Sequence, residues 1–446
     1  DAGSTVSDYR EYEIKNQHSI SLSLMNLEWL NKKFNLLDTP GYLDFHGEVK
    51  SALRVADFAA LVVSAVEGID VGTELCWEYA DKEFKIPKLF IINMTDKEKA
   101  DFDTVLSALQ GRYGRAVFPF TLPVNQGPAF NQVADVLRKE VFTFKTDGSG
   151  DYSEEKADGD WSGRLDDLHN ELIELIAESD ESLLEVFFDK GELNEDELRN
   201  GLHQALKSGG LIPVFCVAGE KNIGVKRMMD ILAKYAPCAG DFEKVVGTVP
   251  GSEEEIVHGS SVNDPLAALV FKTISEEHIG EMSFFRVYSG KVNVGDDLRN
   301  TSHNNSEKMR QIYFMNGKNR KDASQLIAGD IGAALKLKNT HTGNTLAAAK
   351  SPILLPGINY PTPNMNIAVK SKTRGDEEKV ANGLSIMHEE DPTFQYRVDP
   401  ELKQTIVSGQ GELHLNIALK RITERFHVEL ERETPKVPYR ETITGK

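Results

Sequence analysis

Between residues 33 and 145, short apolar runs alternate with amphipathic stretches. "KFNLLD", "AALVVSAV", "KLFIIN" and "PFTLPV" have the length and bulk of buried strands. "DFHGEVKSALRVA", "GTELCWEYADKEF" and "KADFDTVLSALQGRY" repeat apolar residues at helical spacing. Strands joined through helices run parallel, so the pattern predicts βαβ units and a sheet covered on both faces. Ligands of such sheets sit beyond the C-terminal strand ends. Asp38 and Asn93 fall at ends of that kind.

The pattern then changes three times. Residues 146–160 read as a flexible acidic link, and residues 161–208 as helices: "NEDELRNGLHQAL" opens with an Asn cap and an acidic first turn. "LIPVFCVAGEKNIGV" reads as the sheet resuming after this helical insert, and 236–263 as a linker. From 265 to about 346, strands joined by "NVGDD" and "IAGD" turns predict an all-β barrel. After the proline-rich joint "SPILLPGINYPTP", the order β-α-β-β-α-β predicts a split βαβ unit. Its second helix, 411–425, sets Leu415, Leu419, Ile422 and Phe426 on one face. The fold class expected is therefore multidomain: an α/β domain with a helical insert, an all-β barrel and an α+β domain.

The net charge of −19 argues against sequence-independent wrapping of nucleic acid, which depends on neutralising phosphates. Most of that charge lies in 147–200, with 19 acidic against 4 basic residues. It reads as a solvated helical face or a docking surface for a basic partner. Cys76, Cys216 and Cys238 form neither a metal motif nor a disulfide framework, which points to a reducing, cytoplasmic setting. No apolar run is long enough to span a bilayer.

Three strand-end motifs carry chemistry. "DTPG" offers a carboxylate, Asp38, for Mg²⁺ and a glycine, Gly41, whose amide can approach a terminal phosphate. "NMTD" places Asn93 and Asp96 in an NxxD spacing. A carboxylate there pairs with the N1–H and exocyclic amine of guanine, donors that adenine lacks. "VAGEKN" supplies a tight turn, Ala218–Gly219, with backbone N–H groups for the purine carbonyl. Each motif alone is an ordinary turn or cap. Their occurrence in this order points to a guanine nucleotide.

These residues, with "EDPTFQYRV", "SGQGELHLNI" and "KVPYRETI", resemble the translational GTPases, above all elongation factor G and its paralogues. The resemblance implies a GTPase domain over 1–240 with an insert at about 146–208, a β-barrel at 264–350 and a ferredoxin-like domain at 360–438. A fourth domain would begin at 439–446. It implies GTP/GDP and Mg²⁺ as ligands, the ribosome as partner, promotion of translocation as function, and a monomer outside membranes. The acidic insert would meet the ribosomal stalk protein. Asp38 and Gly41 match the Mg²⁺-linked aspartate and phosphate-sensing glycine. Asn93 and Asp96 match the guanine-reading pair, with Met94 where the family carries lysine. "NQHS" matches switch one, setting Ser19 at the Mg²⁺-contacting hydroxyl.

The sequence departs from the family at two places. It contains no GxxxxGK[ST] phosphate-binding loop, so it reads as a piece of a longer protein, and the piece itself is expected to bind nucleotide weakly. Tyr42 stands where the family's histidine orients the attacking water. A neutral phenol brings no positive charge to phosphoryl transfer, so turnover slower than the family's is expected. The alternative is a ribosome-binding factor that hydrolyses GTP slowly or not at all. His46, His414 and His427 read as solvent-facing or packing residues. Lys420, Arg421 and Arg425 read as a shared helical face, open to ribosomal contact or simply solvated.

Overall fold

The computed structural model describes residues 5–190, 193–276 and 280–437. The chain packs into two compact units, one of residues 1–26, 35–55 and 242–446, the other of 27–34 and 56–241.

The second unit is built on a parallel sheet in the order Ala59–Ser64, Lys88–Asn93, Ile212–Cys216, Val117–Pro119. The strand that follows the helical insert rejoins the sheet, as "LIPVFCV" predicts, and slots between two earlier strands. Phe90, Ile92, Val214 and Phe215 are fully buried in it. Trp77 stacks on Phe90 and on Tyr113, centroids 5.6 and 4.1 Å away.

Three expectations are corrected here. "KFNLLD" is not a buried strand of this sheet. It forms Lys32–Asp38, which among the described residues pairs only with Ser23–Trp29 and is half-exposed. "PFTLPV" splits in two: Val117–Pro119 joins the parallel sheet, while Thr121–Pro123 opens an antiparallel one. Residues 146–160 are not only a link, because Tyr152–Lys156 is the last strand of that antiparallel sheet, after Gln132–Asp135 and Glu140–Phe144. The insert itself is helical, over Gly159–Glu178, Glu181–Lys190 and Glu195–Ser208. Asn194 caps the last helix through the Asp196 and Glu197 amides.

The first unit holds an eight-stranded antiparallel, barrel-like sheet spanning 267–347. Its central strand, Ala267–Glu276, is buried on both faces. Ala267, Leu269 and Phe271 enter one apolar cluster, Ala268 and Val270 the other. The stretch read as a linker, 236–263, contains a hairpin of Lys244–Thr248 with Glu255–Gly259. The α+β part has Met365–Ser371, helix Glu377–Glu390, Gln395–Asp399, Gln404–Gly409, helix Glu412–Phe426 and Leu430–Glu433. The third strand is central beside the first, as a split βαβ unit requires. Leu415, Leu419 and Ile422 are buried in its core, with Phe426 packed against them. Residues 439–446 lie outside the described residues.

Candidate functional site

The two motifs expected to read guanine come together at the strand ends of the parallel sheet. Asn93 ends Lys88–Asn93, and its Oδ1 accepts the Gly219 N–H at 3.0 Å. The loop and the turn are further tied through Thr95, whose buried hydroxyl donates to the Val217 carbonyl at 2.8 Å. Asp96 is 5% exposed and pairs with Lys221 at 3.2 Å. Met94 adopts a left-handed backbone (φ 64°) and stays exposed. The Ala218 N–H donates to the Ile223 carbonyl, so both amides assigned to the purine carbonyl have intramolecular acceptors. Gly224, φ 80°, closes the turn. A Cβ there would lie 2.5 Å from the Cys216 carbonyl oxygen. Burial pushes the Cys216 thiol up to about 12, which makes it packing rather than a nucleophile.

The Asp-Thr-Pro-Gly turn lies in the other unit. Asp38 ends Lys32–Asp38, and burial pushes its carboxyl up. The Ser7 hydroxyl and the Thr39 amide hydrogen-bond to it, and Asp8 adds a like charge. Its hydroxyl partner is thus Ser7, while Ser19 is half-buried beside His18. Gly41 is exposed, with no heavy atom within 4 Å of the place a Cβ would take. Tyr42 is 54% exposed.

A one-turn helix, Leu43–Phe45, then leads into helix His46–Val55. Asp44 Oδ2 accepts the His414 N–H at 2.9 Å, at the start of helix Glu412–Phe426. A Cβ on Gly411 would sit 2.6 Å from that oxygen, so a larger residue there would displace the Asp44 carboxylate. His414 is buried, not solvent-facing. Its Nδ1 accepts the Gln410 N–H at 3.0 Å, and its Nε2 meets Asp391 at 3.0 Å. Burial works against the Asp391 charge, but His414 and Thr393 bring its carboxyl down to about 2. His46 is also buried, and His427 is exposed at the helix end.

A buried charge network, not anticipated from the sequence, surrounds this turn. Lys272, 4% exposed, contacts Glu48 Oε2 and Ser21 Oγ, each at 2.6 Å. Glu13 accepts the Ile20 and Ser21 amides at 3.2 and 3.0 Å. Glu390 binds Arg421 and Arg425 and accepts the Ser275 amide at 3.0 Å. Arg421 and Arg425 therefore turn inward, and only Lys420 of the expected helical face is exposed. Lys272 carried a signal: it is the one charge inside "LAALVFKTI". Elsewhere, Glu281, His341 and Glu389 lie close enough to share a cation. The Glu281–His341 pair, which holds the imidazole pKa up, already accounts for that grouping.

Residues 1–238 match the elongation factor Tu GTP binding domain. Residues 265–349 match elongation factor G domain 2, and 360–434 match elongation factor G domain III. The chain belongs to the elongation factor G-like translational GTPases. It is also similar to a crystal structure of a protein from Thermus thermophilus, with 28% identity and a TM-score of 0.87. That match covers 98% of this chain and 63% of the other.

Membership in this family implies guanine-nucleotide binding, usually with Mg²⁺. The residues at the Asp-Thr-Pro-Gly turn fit a cation and a phosphate. Asp38 is a carboxylate disfavoured by burial and by a second acid, which a cation would relieve. Gly41 leaves open approach for a phosphate. Asp96 is held by Lys221 on the loop that Asn93 fixes. If Asp96 reads the base, Asp96→Asn should weaken GDP binding at least about tenfold, because an amide cannot accept from both guanine donors. Equal affinity in a calorimetric titration would remove Asp96 from the base contact.

Proposed function

We propose that this chain is the switch-bearing part of a ribosome-associated factor that binds and hydrolyses GTP and promotes translocation. The observation that carries the reading is the Asp44–His414 hydrogen bond, which ties the turn of Asp38, Gly41 and Tyr42 to the α+β domain. A phosphate that reorders this turn then has a path to that domain and, through Lys272 and Glu390, to the barrel-like sheet. In this reading Asp38 and Ser19 hold Mg²⁺ and Asn93 and Asp96 hold the base, joined by the Ala218 and Gly219 amides once these leave their Ile223 and Asn93 acceptors. The GTPase, barrel and ferredoxin-like domains end near 240, 350 and 438. The acidic helices within 147–200 meet the ribosomal stalk, and the protein works as a cytoplasmic monomer. Among the described residues, no helix is long and apolar enough to cross a membrane.

The second reading, a ribosome-binding factor with slow or no hydrolysis, draws on Tyr42, a neutral group at the water-orienting position. Phosphate release by the protein, with and without ribosomes, separates the two. Stimulated release with movement of messenger RNA supports the first. GTP-dependent ribosome binding without release supports the second, and no nucleotide-dependent binding rejects both.

A further inference from the structure

Phosphoryl transfer gains most from groups that place the attacking water and offset developing charge. Tyr42 alone offers a neutral hydroxyl, but an imidazole lies against it. The ring centroids of His18 and Tyr42 are 4.6 Å apart, with planes tilted 49°. His18 also stacks on Phe45, 6.3 Å away at 29°. Phe45 is 4% exposed and packed with Ile20 and Ile417, so the imidazole rests on a fixed base. His18 Nδ1 lies 3.2 Å from the Ser19 carbonyl oxygen. Only an N–H can bond a carbonyl, so Nδ1 acts as the donor in that contact.

We infer that His18 and Tyr42 form one water-positioning unit, with His18 supplying the imidazole function from the segment before Ser19. The inference rests on the GTPase reading above. In the step concerned, a water oxygen bonds to the γ-phosphorus and the bond from that phosphorus to the β–γ bridging oxygen breaks. The bridging oxygen leaves with its electron pair on GDP, and the water's proton ends on the inorganic phosphate. His18 and Tyr42 orient the water and are regenerated unchanged. The competing explanation is that the stack is packing between two turns.

His18→Phe distinguishes them, because phenylalanine keeps a ring against Tyr42 and Phe45 but has no nitrogen. Single-turnover phosphate release on ribosomes should fall about 100-fold. GTP affinity should stay within about twofold, as for an interaction made only in the transition state. Thermal unfolding should match the parent. Adding Tyr42→His should restore at least about tenfold of the lost rate. A parental rate in His18→Phe, or a loss that Tyr42→His does not recover, overturns the inference while the GTPase reading stands. A parent that binds GTP but never releases phosphate on ribosomes removes both.

Discussion

Glu390→Ala is expected to destabilise the unit containing the barrel-like sheet and the α+β domain by about 3–5 kcal/mol. The Glu390 side chain is 5% exposed, and Arg421 and Arg425 are 23% and 22% exposed. Truncation leaves two guanidinium groups without their carboxylate in a low-dielectric setting, and the Ser275 amide without its acceptor. The loss should appear in urea unfolding and in faster hydrogen exchange of helices Glu377–Glu390 and Glu412–Phe426. A change below about 1 kcal/mol, the range of an exposed pair, would mean that water already solvates these charges.

The same network sets a pH response. Burial pushes the Glu390 carboxyl up, but Arg421, Arg425 and Arg10 outweigh it and hold its pKa below the usual value. A depressed folded-state pKa means that this stabilisation is complete above the unfolded value, near pH 4.3. It is lost as the pH falls through that value toward the lower folded one. Asp391, at about 2, behaves the same way. Glu390→Ala should therefore flatten the acid limb of the unfolding profile. Replacing Glu390, Arg421 and Arg425 together with apolar residues should cost far less than removing Glu390 alone. The network would then be understood as fixing where the helices meet strand Ala267–Glu276, rather than as adding stability.

The parts legible in the sequence are those with long range in pattern. Apolar runs identified Ala59–Ser64, Lys88–Asn93 and Ile212–Cys216, and the Gly219–Asn93 bond joins two motifs that the sequence sets 126 positions apart. Order and chemistry alone had linked them. The antiparallel sheet of 121–156 was not legible, because its strands are three to five residues long and two of them abut turns rich in charge. The hairpin at 244–259 hid in a Pro/Gly/Ser stretch for the same reason. Arg421 and Arg425 looked like a solvated face since helical spacing says which residues share a side, not what that side meets. His18 sits in "NQHS", matched only for Ser19, and nothing in linear spacing connects residue 18 to residue 42. Ser7, likewise, reaches Asp38 only in three dimensions.

Asp135→Ala should be the counterpart of Glu390→Ala in the other unit, with a loss of about 3–5 kcal/mol. Asp135 is fully buried and Arg227 is 5% exposed, with Oδ2 and Nε 2.6 Å apart. The other carboxylate oxygen accepts the Arg138 amide at 2.8 Å, and the guanidinium lies over Phe142 at 5.4 Å. The alanine variant strands the arginine and an amide together. Asn, which keeps an acceptor for the amide, should recover part of the loss. Lys226 beside it forms a control: its pair with Asp151 is exposed on both sides, so Lys226→Ala should leave unfolding unchanged.

The functional consequence follows from chain order. Arg227 is in helix Val225–Tyr235, which starts at Gly224, directly after the turn whose Gly219 holds Asn93. Asp230 of that helix takes the Trp29 indole N–H at 2.9 Å, a second anchor that should keep the helix in place. Asp135→Ala should accordingly loosen the turn more than it displaces the helix, raising hydrogen exchange at 217–224 and, if that turn meets the base, weakening GDP binding. Unfolding midpoint and GDP affinity should fall together across the alanine and asparagine variants. A large stability loss at unchanged affinity would show that the Ala218–Gly219 turn is held by its own bonds to Asn93 and Ile223, independent of the helix behind it.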